Sequence, residues 1–488
     1  MMPTSTLLSP LLWAEATFSS VRLGDPRRDR RAVAIAHAMA SETGASLPKQ
    51  LHDEAALEAT YRFLQSGHVS YEELIRPHVE ATRQDCREQG EVLLIQDTTE
   101  IDYQPHPKTS GLGPIGNGSH QGFLLQTVLA VVPNSRQVLG IAQQEPFLRQ
   151  PAPPKETKQQ RLQRERESLV WERSVQALGS PPEGVRWVHI GDRYSDIFSF
   201  LSLCREMQCD FLIRAAQDRC VDLLVEQAER PVPPRSHHAE RPRSHHAERP
   251  SPPALHLFEV VESWPAQATS TVEITASQKR KARTANVSLS WQPLRLLPPR
   301  GQESKGWHPL VVWVIHVWEP EPPEGVEALE WVLLSSLPTQ TREQAEQRVD
   351  WYRARWMVED FHQGLKTGCQ IEQRQLQDYE GLRTILGLLA PMAVRLMQLR
   401  AASRQDPEQP ASQVLPPDVV AVVAHLDHRP AETMTIQQCW HAIARYGGYL
   451  GRKSDGPPGW KTLWRGWLHI QTLLEGVHLA PLLSRLNL

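Results

Sequence analysis

The sequence of 488 residues is poor in cysteine and has almost no net charge. Its six cysteines form no C-x-x-C pair and lack the dense spacing of a disulfide scaffold, which indicates a reducing compartment. No apolar run reaches the length of a membrane span, and the first 20 residues lack the basic segment of a signal peptide. We therefore expect a bacterial-type cytoplasmic protein with no membrane contact.

The formal net charge of −3 does not by itself indicate a nucleic-acid partner. Basic residues are nevertheless concentrated locally, at 27–31 and again at 279–283. An almost neutral protein can bind DNA only if its basic residues are segregated in this way. With 40% hydrophobic and 22% charged residues, the composition is that of a globular protein of two to four domains.

Hydrophobic periodicity and turn residues divide the chain into three segments. Residues 1–80 are predicted to be helical, with a helix start at Asp25 and a helix over 54–64, and 81–375 to form an α/β core. Residues 376–488 are predicted to be helical again, with helices over 379–400, 436–446 and 460–471 and a further one at the end. The core pattern is a strand at 92–99, a hairpin over 123–142, a charged helix over 155–178, a strand at 186–191 and a helix over 197–207.

The stretch 216–330 interrupts this core with Pro-rich segments and is predicted to be a β-rich insertion, its first two strands at 255–261 and 270–277. Inside it the octapeptide 234–241 recurs without change as 242–249. Its four histidines have the chemistry of zinc ligands, but no cysteine or strand accompanies them. A loop grown by DNA duplication is the favoured interpretation.

Four polar side chains stand three, four and seven residues apart in the segment 351–366: Tyr352, Arg355, Glu359 and Lys366. At about 100° per residue they would lie on one stripe of a helix. Burying such a stripe would be costly, so it is typical of a surface that binds a divalent metal and a phosphodiester together. The alternative is a solvated helix face with an ion pair between Arg355 and Glu359.

Three acidic residues occur along the chain in the order strand, strand and helix: Asp97 inside a strand, Asp192 at the end of a later strand, and Glu359 on a helix. This order is typical of an RNase H-like fold, in which three carboxylates converge and hold two Mg²⁺ ions roughly 3.5–4 Å apart; Mn²⁺ can substitute. Taken singly, Asp97 could instead bond to Thr98 or Thr99, and Asp192 could cap a helix.

The spacing Y-x2-R-x3-E-x6-K resembles the signature of the IS-four family of DDE transposases. Further blocks that resemble the family in sequence and order are Leu23-Gly-Asp-Pro-Arg-Arg, Ala59-Thr-Tyr-Arg-Phe, Gln96-Asp-Thr-Thr, Asp192-Arg-x-x-Asp196, Trp331-x-Leu-Leu-x-Ser, Phe361-His-x-x-x-Lys366-Thr-Gly and Ala442-Ile-Ala-Arg-x-Gly-Gly448. The resemblance extends from Trp13 to about residue 480.

This resemblance implies a role for each matching residue. The acids Asp97, Asp192 and Glu359 correspond to the catalytic metal ligands of the family. Tyr352, Arg355 and Lys366 correspond to residues that hold the phosphates around a flipped base, and Trp331 corresponds to the tryptophan on which that base stacks. Arg214 corresponds to a basic residue beside the site. Arg31 and Arg62 fall in the amino-terminal region that reads transposon-end DNA. Gln363 and Ala216 depart from the family pattern, since the family has basic residues there.

The expected function is cut-and-paste transposition by metal-dependent nicking, hairpin formation at the transposon end and strand transfer into target DNA. The helical segment 1–80 would bind end DNA, and 376–488 would form a homodimer that joins two ends. Two alternatives remain open. One is a catalytically silent chain, or a product started at Met39, that binds DNA and inhibits transposition. The other is an RNase H-fold nuclease without strand transfer.

Overall fold

The computed structural model describes residues 9–150, 153, 155, 157, 166–224, 255–274, 282–300, 306–405, 407–452 and 458–485. They belong to two compact units, one made of Met1–Trp187 with Ala354–Leu488 and the other of Val188–Arg353. The duplicated octapeptide lies outside the described residues, so the choice between a zinc site and a loop stays a sequence prediction.

The first unit begins with helices, as predicted for 1–80. They are α1 Pro10–Phe18, α2 Pro26–Ser41, α3 Leu47–Leu51, α4 Glu54–Leu64 and α5 Tyr71–Arg87. Asp25 caps α2 by accepting a hydrogen bond from the amide of Arg27, and Pro26 occupies the first turn. The helix start predicted at Asp25 is therefore confirmed.

An antiparallel sheet follows in the same unit. Its strands are β1 Glu91–Asp102, β2 Gly113–Ile115, β3 His120–Val131 and β4 Val138–Phe147. Strand β3 pairs with β1 along one edge and with β2 and β4 along the other. The predicted strand and hairpin are both present and are longer than expected: β1 continues to Asp102, β4 continues to Phe147, and β3 begins at His120 with two exposed residues.

The helix predicted over 155–178 is described only in its carboxy-terminal part, because 156 and 158–165 lie outside the described residues. From Arg166 onward the structure has a 3₁₀ turn at Glu167–Leu169 and then helix α6 Val170–Leu178. Val170, Trp171, Ser174, Val175 and Leu178 are buried, and packing of such an apolar face supplies most of a helix's stability.

The second unit contains a mixed sheet. Its strands are β5 Arg186–Gly191, β6 Asp210–Arg214, β7 Cys220–Leu223, β8 Leu255–His256, β9 Ala268–Ile274, β10 Arg283–Leu296, β11 Leu310–Trp318 and β12 Glu330–Ser335. Their order is β5-β6-β12-β11-β10-β7-β8, with β9 also on β10. Only the β5–β6 pair is parallel among the pairings described within this unit, and helix α7 Phe198–Glu206 connects its strands.

The predicted strand over 255–261 is wrong. Strand β8 has two residues, and helix α8 Leu257–Glu262 replaces the rest. Leu257, Val260 and Val261 are buried, at spacings of three and four residues that place them on one helical face. A short apolar run fits either period, and here burial on one face favours the helix.

Asp196 anchors the loop that follows β6 to the turn after β5. Its carboxylate accepts hydrogen bonds from the amides of Ala216 and Gln217, each at 2.7 Å, and from the guanidinium of Arg219 at 2.6 Å. The side chain of Asp196 is 0% exposed and that of Arg219 is 9% exposed. A fully hydrogen-bonded buried pair of this kind fixes the relative position of the two segments.

The remaining helices are α9 Arg342–Arg353 in the second unit and, in the first, α10 Trp356–Gln363, α11 Tyr379–Gln405, α12 Pro417–Leu426, α13 Ile436–Tyr446 and α14 Trp460–Arg485. The last two predicted helices are one continuous helix, α14. Helix α11 contains a window, Tyr379–Ala401, that is long and apolar enough to cross a membrane and was missed in the sequence; 89% of it is buried within the protein, as in a core helix.

The single helix predicted through the four-residue signature is also wrong. A turn at 354–355 ends α9, and a π-helical turn, Gly364–Gly368, follows α10. Each break rotates the side chains after it, so Tyr352, Arg355 and Lys366 do not share one helical stripe. Tyr352 is only 6% exposed, which contradicts the expectation of a solvent-facing stripe at that position.

We expect Asp196→Ala to lower the free energy of unfolding by about 3–5 kcal/mol, because it leaves Arg219 and two amides buried without their partner. Asp192→Ala removes only the cap of a short turn and should cost about 0.5–2 kcal/mol. Urea denaturation of both variants measures the difference. Equal losses would show that Asp196 does not anchor this region of the unit.

Candidate active site

Asp97 and Glu359 come together in the first unit around the guanidinium of Arg355. Arg355 Nη2 lies 2.6 Å from Glu359 Oε1, and Arg355 Nη1 lies 3.9 Å from Asp97 Oδ2. The side chains of Arg355 and Asp97 are 11% and 19% exposed. Two acids separated by most of the chain therefore flank a single, largely buried cation.

His362 fixes the helix that carries Glu359. Its Nε2 lies 3.4 Å from Thr127 Oγ1, and Thr127 is the residue of β3 that pairs with Asp97. Burial lowers the pKa of His362 to about 3, so its ring is neutral at physiological pH. A neutral imidazole can pack against the strands at no charge penalty, and it sets α10 over the position of Asp97. From the sequence, His362 was recognised only as a member of a family block.

The contact weighed as an alternative for Asp97 is present as well. Asp97 Oδ1 accepts a hydrogen bond of 2.9 Å from the amide of Thr98. This bond uses one carboxylate oxygen, while the other faces Arg355. The local bond and the contact with Arg355 are therefore compatible, and the first orients the carboxylate for the second.

Asp192 lies in the second unit, directly after β5. Its side chain accepts a hydrogen bond of 2.8 Å from the amide of Tyr194 and so caps the 3₁₀ turn Arg193–Ser195. Ser195 donates a second bond to the Asp192 carbonyl at 2.6 Å. The capping role considered from the sequence is thus observed. It leaves acceptor capacity on the carboxylate, because an ionised carboxylate has about four lone-pair sites.

Within the described ranges, no group of three or more His, Cys, Asp and Glu side chains is arranged to hold a metal ion. The pair Asp97 and Glu359 nevertheless fits a divalent cation by its chemistry, since it offers carboxylate oxygens only. A positive charge already lies against both carboxylates, that of Arg355. In the structure the cation between the two carboxylates is the guanidinium of Arg355.

Trp331 and Tyr352 are in contact in the second unit. Their ring centroids are 5.2 Å apart with the planes at 68°, an edge-to-face arrangement. Trp331 lies opposite Val317 in the β11–β12 ladder and is half-buried, whereas Tyr352 is buried. Trp331 is therefore not a fully buried core residue. On the same sheet, Arg214 donates to the carbonyl of Glu330 at 2.7 Å.

Lys366 contacts an acid that was not predicted from the sequence. Its Nζ lies 3.3 Å from Glu372 Oε1, and the same oxygen accepts a hydrogen bond of 3.1 Å from the amide of Asp102. Glu372 therefore holds Lys366 against the end of β1. Glu372 lies outside the four-residue signature, so no pattern in the sequence marked it as a partner of Lys366.

The two arginines expected to read DNA lie in one basic groove, formed by Arg27, Arg28, Arg31 and Arg62 between α2 and α4, with a volume of about 330 Å³. Hydrogen bonds from Arg27 lower the pKa of Asp25 at its edge to about 2. Arg62 pairs with Glu58 at 3.1 Å, but both side chains are more than two-thirds exposed, so the pair contributes little. The groove has the charge and the accessibility needed for phosphate contacts.

Three family models match the chain. Residues 11–69 match Transposase DNA-binding, residues 188–394 match Transposase DDE domain, and residues 390–486 match Transposase Tn5 dimerisation domain. The basic groove lies within the first range and Asp192 and Glu359 within the second, while Asp97 precedes it. The DDE match implies an RNase H-like fold, with which the mixed α/β structure agrees.

The matches confirm the resemblance seen in the sequence, and they support DNA and a second copy of the chain as partners. DDE domains generally use divalent metals, in keeping with the carboxylate pair around Arg355. The chain is a Tn5-like DNA transposase of the IS-four family.

Proposed function

We propose that this transposase excises its element through a hairpin intermediate and that Asp97, Asp192 and Glu359 are its catalytic acids. The observation that carries the proposal is the pair of carboxylates, Asp97 and Glu359, held around one cation in a chain of the DDE family. Asp192 follows the strand β5, which keeps the order of acids along the chain that is typical of an RNase H-like fold.

Mg²⁺, or Mn²⁺ in its place, is the proposed cofactor, because the three side chains offer only hard oxygen ligands. When bound, it would supply Lewis acidity and lower the pKa of an attacking water. The three carboxylates would hold the cation, and the hydrogen bond from the Thr98 amide keeps Asp97 in a fixed orientation for this role.

Arg355 can therefore bind either the two carboxylates or a DNA phosphate. In the structure it neutralises Asp97 and Glu359. A guanidinium can instead hold a phosphate by two parallel hydrogen bonds. We propose that Arg355 moves from the acids to a DNA phosphate when another cation takes over the carboxylates. Lys366, held by Glu372 beside β1, contributes a second phosphate contact.

Trp331 is proposed to stack a base that leaves the duplex during hairpin formation. The half-buried indole has an edge-to-face support in Tyr352, and Arg214 lies on the same sheet. Stacking on an aromatic face compensates some of the cost of unstacking the base. Hairpin formation requires a strand bent so that its 3′-OH reaches the opposite strand, whereas simple hydrolysis does not. The contact between Trp331 and Tyr352 therefore favours strand transfer over the plain nuclease alternative.

The chain is proposed to act as a homodimer in the cytoplasm at the nucleoid, with three functional regions. Residues 1–80 would bind end DNA through Arg31 and Arg62, residues 81–375 would carry catalysis, with 216–330 as an insertion, and residues 376–488 would form the dimer contact. Two subunits would join two transposon ends before strand transfer into target DNA.

The first test replaces each proposed acid. Asp97→Asn, Asp192→Asn and Glu359→Gln should abolish nicking and strand transfer in Mg²⁺ while leaving end-DNA binding within a few-fold. Asp360→Asn is the matched control, because Asp360 follows Glu359 but pairs with Arg400 at 2.7 Å. Nicking is measured on a labelled end duplex. An acid variant that nicks at the control's rate loses its assignment.

A second test addresses Arg355 by metal binding rather than by activity. Arg355→Gln removes the competing cation, so Mn²⁺ should bind the DNA-free variant about tenfold more tightly than it binds the wild type, a difference of about 1.4 kcal/mol. The variant should also melt at a lower temperature in chelator, since the two acids lose the positive charge of Arg355. Isothermal titration gives the affinity. Unchanged or weaker Mn²⁺ binding would show that Arg355 does not compete for these carboxylates.

The third test separates hairpin formation from the first nick. Trp331→Ala should slow the hairpin step about ten- to a hundredfold, as expected from a loss of about 1–3 kcal/mol of stacking, and leave nicking nearly unchanged. A time course on denaturing gels resolves nicked, hairpin and opened products, and a thermal melt reports folding. If both steps slow equally and the melting temperature falls, Trp331 is a structural residue.

A further inference from the structure

A second groove lies on the other flank of α4. Its side chains come from α4 and from two later segments, and the polar ones that concern us are Tyr61, Gln65, His106, Lys108, Gln375 and Gln377. We call it the glutamine groove. Its volume is about 680 Å³, and its described lining contains no carboxylate. Such a surface carries one positive charge and several amides that both donate and accept hydrogen bonds.

The walls of the glutamine groove are fixed by hydrogen bonds between 103–110 and 371–379. Thr109 Oγ1 donates to the Leu376 carbonyl at 3.1 Å, the Ser110 amide donates to the Gln377 carbonyl at 2.9 Å, and the Tyr379 amide donates back to Ser110 at 3.0 Å. The two segments therefore run side by side as one rigid wall. A wall that is already ordered loses little conformational entropy when it binds a ligand.

A buried arginine ties this wall to the helices of the opposite side. Arg374 is 4% exposed and donates to the Ala45 carbonyl at 3.0 Å and to Gln50 Oε1 at 3.2 Å. Residue Glu372 of the same wall holds Lys366. The groove is thus connected at one side to the helices that precede α4 and at the other to a residue of the four-residue signature.

Four polar side chains of the groove are not engaged elsewhere, whereas His106 lies 3.0 Å from the Glu372 carbonyl. Within the described ranges, the side chains of Gln65, Lys108, Gln375 and Gln377 have no hydrogen-bond or ion-pair partner, and all four residues are exposed. Buried glutamines of the same unit differ, since Gln126 donates to Gln96 and Gln144 donates to Thr127. The four exposed side chains keep their hydrogen-bonding capacity for a ligand.

The family comparisons cover only part of this surface. Tyr61 and Gln65 lie within the range matched as DNA-binding, Gln375 and Gln377 lie within the DDE match, and residues 103–110 lie outside all three matched ranges. The position of the glutamine groove next to the basic groove indicates which ligand it binds. Helix α4 presents Arg62 to the basic groove and, from neighbouring positions, Tyr61 and the following Gln65 to the glutamine groove. A duplex seated on the basic groove has only to continue across α4 to reach it.

We propose that the glutamine groove binds one edge of the transposon-end duplex as an extension of the basic groove, with Lys108 on a phosphate and Gln375 and Gln377 on base edges. The inference rests on the proposed function of the amino-terminal helices in end binding. An amide side chain can pair with adenine through one donor and one acceptor in the major groove, which gives sequence preference. Lys108 supplies affinity without sequence preference.

The experiment uses the full chain and an end duplex that the wild-type protein selects from a random-sequence pool, compared with a scrambled duplex. Affinities of the wild type, Lys108→Ala and Gln375→Ala/Gln377→Ala are measured by fluorescence anisotropy over a range of salt concentrations. Gln373→Ala is the matched control, since Gln373 is an exposed glutamine of the same segment outside the groove lining. Arg31→Ala/Arg62→Ala tests the basic groove separately.

The two groove variants should differ from each other. Lys108→Ala should weaken both duplexes alike and reduce the slope of log K against log salt by about 0.9, the value for one phosphate contact. The double glutamine variant should bind the selected duplex about tenfold more weakly, with the scrambled duplex and the salt slope unchanged. Gln373→Ala should match the wild type in every measurement.

Several outcomes overturn the proposal, and they are distinct. If both groove variants bind like Gln373→Ala while Arg31→Ala/Arg62→Ala loses binding, the groove does not contact DNA and the proposed end binding stands. If Arg31→Ala/Arg62→Ala also binds normally, the proposed end binding itself fails. If the groove variants instead change the sedimentation of the DNA-free protein, the groove is a contact between copies of the chain.

Discussion

The acidic residues of this site depend on one counter-charge. Asp97 directly follows the buried run of β1 and is itself only 19% exposed, so its charge needs compensation, and Glu359 approaches it from α10. The guanidinium of Arg355 balances both charges and makes that arrangement stable. Other features serve the same purpose: the neutral ring of His362 holds α10 over the strand pair, and the amide of Thr98 orients the carboxylate.

In the second unit a buried carboxylate is compensated by a different set of partners. Asp196, only four residues after Asp192, is buried and fully engaged with Arg219 and two amides. It gives the turn after β5 a fixed shape and leaves Asp192 at the surface of that turn. Two acids in one family block therefore have different physical roles, one as a structural anchor and one as a candidate ligand.

Much of the fold follows from the sequence, and the errors have identifiable causes. The start of α2, strand β1, the hairpin of β3 and β4, and helices α4 and α13 were predicted because each has a clear period or a capping residue. The stretch 255–261 was wrong because a short apolar run fits both periods. The break at 354–355 was missed because no proline or capping residue marks it in the sequence.

The site itself was only partly predictable. Asp97, Asp192 and Glu359 could be selected by their order along the chain, and the contact of Arg355 with Glu359 by their spacing. The contact of Arg355 with Asp97, the burial of Tyr352 and the bond between Lys366 and Glu372 depend on tertiary packing. Asp97 is 258 residues from Arg355 along the chain, and Glu372 is brought to Lys366 by the turns that follow α10 rather than by a helical spacing.

The division of the chain also has a consequence for synthesis on the ribosome. The first unit is assembled from two stretches, and the whole of the second unit, 188–353, is translated between them. The amino-terminal helices therefore emerge long before α11, against which they pack through contacts such as that of Arg395 with the Ala40 carbonyl. Domains generally fold as units during translation, so the second unit can form first. The nascent protein would then carry its basic groove on incompletely packed helices until residues beyond 354 had been made.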